Sequence, residues 1–209
     1  RNILTYMTND LSAFYLDFTK DVLYIESKNN LARRSIQTVL YDNLSALVKL
    51  LTPIIPFTTE EVYSYMNDKK EESVYLTQMP TVSKFANTNE LLAKYDEFFE
   101  FRDDILKAIE VARNSKIIGK SLSAKVEYKP NEKVSKLISS LNVDLKQLFI
   151  VSEFVVTNLD VDGDQYDTGV IKVTARDGII CNRCWQVVDN VDEDGLCPRC
   201  EDIVENWEE

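Results

Sequence analysis

The sequence predicts a mostly α protein: an antiparallel helical bundle over residues 1–115, a small α/β junction subdomain over 116–175, and a four-cysteine module over 176–209. Three observations carry this. Apolar residues recur every three or four positions in long stretches, the pattern changes to alternation beyond Gly119, and all four cysteines of the chain fall in one window as C-x2-C-x12-C-x2-C. At 209 residues with 44% hydrophobic and 28% charged side chains, the chain can bury a core and is not disordered as a whole.

In the first stripe, Met7, Leu11, Phe14, Phe18, Val22 and Ile25 lie on one face of a helix of about 25 residues. Lys28-Asn29-Asn30 is a polar connector. Ala32, Ile36, Leu40, Leu44, Leu47 and Leu51 then mark a second long helix, antiparallel to the first, until Pro53 and Pro56 interrupt it. Thr58 with Glu61 reads as a capping box opening a short helix through Met66, which the charged run Asp68 to Glu72 ends. Val74 to Asn89, with Pro80 and no period, reads as an irregular connection. Leu91, Tyr95, Phe98, Ile105, Ile109 and Ala112 form the stripe of a further long helix ending near Asn114 and Ser115.

Beyond that point Leu122 to Tyr128 alternates as a strand does, Glu132 to Leu141 reads as a helix, and Leu148 to Val156 and Gly169 to Thr174 read as strands around a turn-rich Asp160 to Thr168. No repeat of 20 to 50 residues is present. No run approaches the roughly 18–20 apolar residues of a membrane span, and Arg1 to Thr5 lacks the layout of a signal peptide, so a cytoplasmic, membrane-free protein is expected. The chain opens on Arg rather than Met and is patterned like a domain interior from Asn9 onward, which reads as part of a longer protein; a monomer is the default.

Composition excludes several chemistries. The chain has no histidine, which removes Ser-His-Asp triads, Cys-His dyads, imidazole ligands and imidazole acid–base catalysis together. A formal charge of −11 argues against affinity from a broad basic field, so any nucleic-acid contact has to come from local patches.

Cys181, Cys184, Cys197 and Cys200 form two knuckles, each presenting two thiolates from a tight turn. Two facing turns close a tetrahedral site, and a site with sulfur at every position is structural; one zinc ion is the expected metal, although four thiolates also accept iron. Paired disulfides fit an oxidising compartment better than this chain, and a thioredoxin-like redox pair does not need a second C-x-x-C. With Ile180, Trp185, Val187, Val188, Leu196 and Ile203 as its few core candidates, the module draws its folding free energy from the metal. Arg183, Trp185 and Arg199 sit on or beside the knuckles, where they can stack on or pair with single-stranded RNA. The segment from Arg176 to Glu209 is net −7 before the thiolates, however, and packing in the mini-core is the simpler reading of Trp185.

Residues 20–50 are net +2, with Lys28, Arg33 and Arg34 at the connector between the first two helices; a basic pair on a helix is most simply a solvated face. Arg102 falls inside an apolar stripe, consistent with a functional arginine or with a buried one paired to an acidic neighbour. Ile118-Gly119-Lys120-Ser121 is not a P-loop, because Asn114 stands where the first glycine is required and a helix precedes it in place of a strand. Asn43-Leu44-Ser45 is a glycosylation triplet in mid-helix and is set aside.

Asp17-Phe18-Thr19-Lys20-Asp21-Val22-Leu23-Tyr24 and Leu50-Leu51-Thr52-Pro53-Ile54-Ile55-Pro56-Phe57-Thr58-Thr59-Glu60-Glu61-Val62-Tyr63 resemble the helical anticodon-binding domain of class I aminoacyl-tRNA synthetases. Phe101-Arg102-Asp103-Asp104 through Ala112-Arg113, Lys116 to Leu122 and Leu148 to Ser152 resemble the C-terminal junction region of the bacterial isoleucyl-tRNA synthetase family, and Cys181-x-x-Cys184-Trp185 with Leu196-Cys197-x-Arg199-Cys200 resembles its zinc finger. The resemblance implies a ligase that joins isoleucine to its tRNA at the cost of ATP, with this region holding the anticodon end. It implies as partners the tRNA for isoleucine and the catalytic and editing domains of the parent chain.

The family's catalytic signatures, a His-Ile-Gly-His type motif and a Lys-Met-Ser-Lys-Ser type loop, are not in this sequence, so no catalytic residue is assigned, ATP belongs to the catalytic domain, and the chain alone is expected to be inactive. Lys28, Arg33 and Arg34 are the candidates for the anticodon stem-loop backbone; Arg183, Trp185 and Arg199 are the candidates for a few stacking or base-edge contacts. Competing readings are a zinc-containing interaction module, or a DNA-contacting tail with a finger like that of formamidopyrimidine-DNA glycosylases.

Overall fold

The computed structural model describes residues 2–67, 71–82, 86–141 and 143–206. It is mostly helical with a small sheet, and it divides into two compact units: residues 28–86 form one, and residues 1–27 with 87–209 form the other.

In the smaller unit, helix α3 (Leu31–Leu51) starts where the sequence changes from polar connector to apolar period. Asn30 caps it, its side-chain oxygen accepting the Arg33 N–H at 3.2 Å. Helix α4 (Pro56–Tyr65) begins three residues earlier than the Thr58–Glu61 pattern predicts, with Ile55 as N-cap and Pro56 in the first turn. The proline ring presets the helical φ and has no N–H to leave unpaired, so it takes the start and Thr58 falls inside the helix. Val48, Tyr63, Met66 and Val74 make a small core. The Glu60 carboxylate accepts from the Ser73 hydroxyl at 2.8 Å and the Val74 N–H at 3.2 Å, which fixes a 3-10 turn over Val74–Leu76 in the connection that reads as irregular. Residues 68–70 of the charged run and 83–85 of that connection lie outside the described residues.

The larger unit opens with one helical stretch that differs from expectation in its winding. Helices α1 (Asn2–Thr5) and α2 (Asp17–Ile25) flank a π-helical segment, Tyr6–Leu16. The steps of four and three from Met7 to Leu11 to Phe14 fit the 3.6-residue α period, and nothing in the pattern signals the wider i→i+5 turn of this segment. Helix α5 (Thr88–Asn114) is the spine. It lies on a four-stranded sheet of order β2-β1-β4-β3, built from β1 (Ala124–Pro130), β2 (Glu153–Val156), β3 (Asp164–Tyr166) and β4 (Gly169–Ala175).

Strands β1 and β4 pair antiparallel from Ala124↔Ala175 to Pro130↔Gly169, while β1 and β2 pair parallel. A parallel pair needs a crossover, and α6 (Glu132–Leu141) with α7 (Leu145–Leu148) supplies it. Two expectations are corrected here. The predicted strand over Leu148 to Val156 begins only at Glu153, because Leu148 ends α7 and Ile150 turns the chain at φ +55°. The turn-rich stretch contains β3, whose three residues are too few to show alternation.

The core is the α5 face against the inner face of the sheet: Phe98, Phe101 and Ile105 from the helix meet Val126, Tyr128 and Ile171. Phe101 stacks on Tyr128 at 5.3 Å between centroids and meets Phe149 edge-on at 5.2 Å. Arg102, within the helix stripe, lies over the Phe14 ring at 5.0 Å and donates to the Ala13 carbonyl at 3.3 Å, with Asp103 and Asp17 as its acidic neighbours.

Candidate metal centre and aromatic groove

The cysteine module starts with a hairpin of β5 (Ile179–Ile180) and β6 (Val187–Val188), whose turn is the first knuckle, and ends with α8 (Pro198–Glu205), whose N-terminus carries the second. The turn Asp192 to Gly195 joins them. Gly195 has φ +77°, a left-handed position that favours glycine, and a Cβ there would crowd the Asn182 amide of the first knuckle.

The result gathers the four cysteines. All are buried, and their Sγ atoms lie within 4.8 Å of one another. The Cys184 and Cys197 sulfurs are 3.8 Å apart, far beyond a disulfide and close to the edge of about 3.8 Å that a tetrahedron of 2.3 Å metal–sulfur bonds has. The Cys197 N–H donates to the Cys181 sulfur at 3.3 Å and the Arg183 guanidinium approaches the Cys200 sulfur at 3.8 Å, the polar support a thiolate ligand needs. Burial opposes ionisation of Cys181, but N–H groups of Cys184, Cys197 and Arg183 outweigh it and bring the thiol down to about 6; burial pushes Cys184 and Cys200 up. Four close thiols of this kind can hold a metal ion.

The mini-core differs from the expected one. Ile203 and Val187 are buried, but Ile180 and Trp185 are 60% and 67% exposed, and Ile25 from α2 fills the place beside the cysteines. Trp185 has φ +62° and donates its N–H to the Cys181 carbonyl at 3.0 Å, a knuckle geometry that turns its side chain outward. Arg199 makes a two-bond fork on Asp21 of α2 at 2.8 Å for each bond, and Arg183 donates to the Ile25 carbonyl at 2.8 Å. On the other side the Val187 N–H donates to the Ser152 hydroxyl at 2.7 Å, and Arg176 pairs with Glu153 at 2.6 Å and with Asp189. The module is thereby clamped between α2 and the sheet.

That clamp leaves a groove of about 390 Å³ with mostly apolar walls, formed by α2, the α7 turn and the first knuckle. Tyr24, 76% exposed, and Trp185 present aromatic surface there, with Leu122 and Ile150 as apolar wall, Lys146 as a cation, and Lys20 paired with Asp17 at 3.1 Å. Three described residues other than glycine have positive φ: Lys116, Ile150 and Trp185. Two of the three line this groove, and backbone held in a sparsely populated region concentrates at functional sites. Sequence reasoning singled out Trp185 but missed Tyr24, Ile150 and Lys146, since no motif links four segments that meet only in the fold.

Comparison with known proteins accords with this geometry. The model of the anticodon-binding domain of tRNA ligase matches residues 1–128. The chain belongs to the anticodon-binding domain family of tRNA ligases. This anticodon-binding chain is 46% identical to isoleucine–tRNA ligases of Bacillus cereus (strain AH820) and Bacillus anthracis (strain A0248), and 45% identical to that of Bacillus mycoides (strain KBAB4). Each alignment covers 98% of this chain and 23% of the relative, so the chain spans about a quarter of the length of those ligases.

In the smaller unit of the anticodon-binding chain, Lys28 and Arg34 are exposed, with the Arg34 guanidinium donating to the Gln37 amide oxygen at 3.1 Å, and Arg33 is half-buried. Among the described residues, no helix is long and apolar enough to cross a membrane.

Proposed function

We propose that this chain holds the anticodon end of the tRNA for isoleucine while the catalytic domain of the parent ligase performs the ATP-dependent aminoacylation, and that it does so in the cytoplasm as part of a monomer. The observation that carries the reading is the groove beside the cysteine knuckle: exposed Tyr24 and Trp185 over an apolar floor, with Lys146 at hand, is the surface on which an unpaired base stacks while its phosphate meets a cation. Identity of 46% to isoleucine–tRNA ligases over 98% of the chain supports the substrate.

Zinc is the metal we assign to Cys181, Cys184, Cys197 and Cys200, on the donor set and the sulfur spacing. Held there, it would supply a structural cross-link and no chemistry, since four protein ligands would leave no open position for a substrate. The chain's own residues do the rest. Arg199 and Arg183 seat the knuckles on α2, which leaves Trp185 as the residue of the module open to a base. Lys28, Arg33 and Arg34 at the start of α3 are the basic residues assigned to the stem-loop backbone, where contacts position the RNA without reading sequence.

The test is a filter-binding titration of the intact zinc-loaded protein with the tRNA for isoleucine and a non-cognate tRNA at two salt concentrations. Preferential, salt-weakened binding is expected; equal binding of the two tRNAs refutes the specificity, and no binding above background refutes the function. Trp185→Ala is expected to weaken cognate binding by about 1–3 kcal/mol, the value of one stacked base, with the melting temperature unchanged.

A further inference from the structure

Residues 111–126 carry Arg113, Lys116, Lys120 and Lys125 and no carboxylate, in a chain whose formal charge is −11. Arg113 stands in the last turn of α5 and Lys125 in β1, and Lys116 and Lys120 lie in the connection between them. Helix α5 ends at Asn114, the Ile117 N–H reaches back to the Ala112 carbonyl at 2.9 Å, and Lys116 takes the left-handed position, φ +59°, that glycine ordinarily fills at a helix end. Ile118, 4% exposed, anchors the loop from below, and Gly119 has open space where a side chain would stand. The Arg113 guanidinium donates to the Ser121 hydroxyl at 2.8 Å, tying the helix end to the far side of the loop.

Two of the four cations have partners, Arg113 on Glu110 at 2.5 Å and Lys125 on Glu153 at 3.0 Å. Lys116 and Lys120 are exposed and, among the described residues, reach no carboxylate. Favourable placement at the negative end of α5 accounts for a cation at Arg113, but that effect fades within the last turn and does not extend to Lys120. The loop then runs through Ser121 directly into Leu122, which is a wall of the aromatic groove.

We propose that the loop from Arg113 to Lys120 is a phosphate-binding surface for RNA, in which Lys116 and Lys120 each neutralise one backbone phosphate of the strand that enters the groove. The proposal rests on the anticodon-binding reading and adds the surface that would give an acidic chain its salt-dependent hold. Two flexible ammonium groups suit phosphates as point charges and read no base, so cognate and non-cognate tRNA feel them equally.

The experiment compares the intact protein with K116E/K120E, K116R/K120R and the control K136E, whose exposed lysine pairs with Glu132 at 2.7 Å on α6. Each is titrated with the unmodified transcript of the tRNA for isoleucine and with a non-cognate transcript over a salt series, after thermal melts establish equal folding. K116E/K120E is expected to bind both tRNAs about tenfold or more weakly and to lower the slope of log affinity against log salt by about 1.5, the loss of two phosphate contacts; the arginine pair and K136E keep the parent values. Unchanged affinity and slope in K116E/K120E, with the parent protein binding normally, overturns the proposal and leaves the anticodon-binding reading intact. Absence of tRNA binding by the parent protein overturns that reading, and the loop proposal with it.

Discussion

Asp104 shows what a single buried charge does in this molecule. It is 5% exposed, and its Oδ2 accepts both the Thr168 N–H at 3.0 Å and the Thr168 hydroxyl at 2.8 Å, with Lys107 at 3.5 Å from the other oxygen. The Thr168 carbonyl in turn accepts the Tyr128 hydroxyl at 2.8 Å, so helix α5, strand β1 and the start of β4 meet in one satisfied polar group inside an apolar core. Asp104→Ala leaves buried donors without an acceptor and is expected to lower unfolding free energy by about 2–3 kcal/mol in urea. Burial holds the Tyr128 phenol up at about 12, against 10 in the unfolded chain. The unfolded state therefore loses its proton first, and stability falls as pH rises from 10 toward 12. Tyr128→Phe is expected to remove that part of the alkaline slope, measured as melting temperature against pH. None of this was legible in the sequence, where Asp104 is one of 35 acidic residues and nothing near it names Thr168 as its partner.

At the scale of elements, periodicity was a good guide wherever one face meets one core. Helix α5 and strands β1 and β4 are close to where the pattern puts them, because Phe98, Phe101 and Ile105 on one side and Val126 and Tyr128 on the other must all be dry. It was a poor guide where local chemistry competes: Pro56 took the helix start from Thr58, and the Ile150 turn shortened a predicted strand. The cysteine module is the element with the least core of its own. Chelation of the proposed metal is therefore expected to open β5, β6 and α8 to hydrogen exchange while β1, β4 and α5 stay protected, and the same pattern is expected for Cys200→Ser. Uniform exchange through the sheet after chelation would contradict the division. Asp21→Asn halves the fork on Arg199 and is expected to raise exchange in α8 while leaving the metal content of the protein unchanged, since Asp21 seats the module and lies outside the four-cysteine cluster.

For the whole molecule, a formal charge of −11 and the proposed RNA partner pull in opposite directions, and the proposed resolution is in placement. Cations lie in small groups, Lys28, Arg33 and Arg34 in one unit and the Arg113 to Lys120 loop in the other, so long-range attraction is weak and close contact has to carry the affinity. By itself the sequence determined what rests on short-range order: mostly helical content, a mixed segment beyond Gly119, the gathering of four cysteines whose spacing closes a site within 20 residues, and membership of a family written in contiguous motifs. Only the tertiary structure decided that Arg183 and Arg199 hold the module to α2, that Trp185 faces outward beside Tyr24, and that residues 1–27 pack with 87–209 while 28–86 form a unit of their own. The reason is physical. Spacing along the chain sets which side chains share a face, but the partner of that face, and hence whether an arginine meets a carboxylate or stays open to a phosphate, is set by segments more than 150 residues apart, such as Asp21 and Arg199.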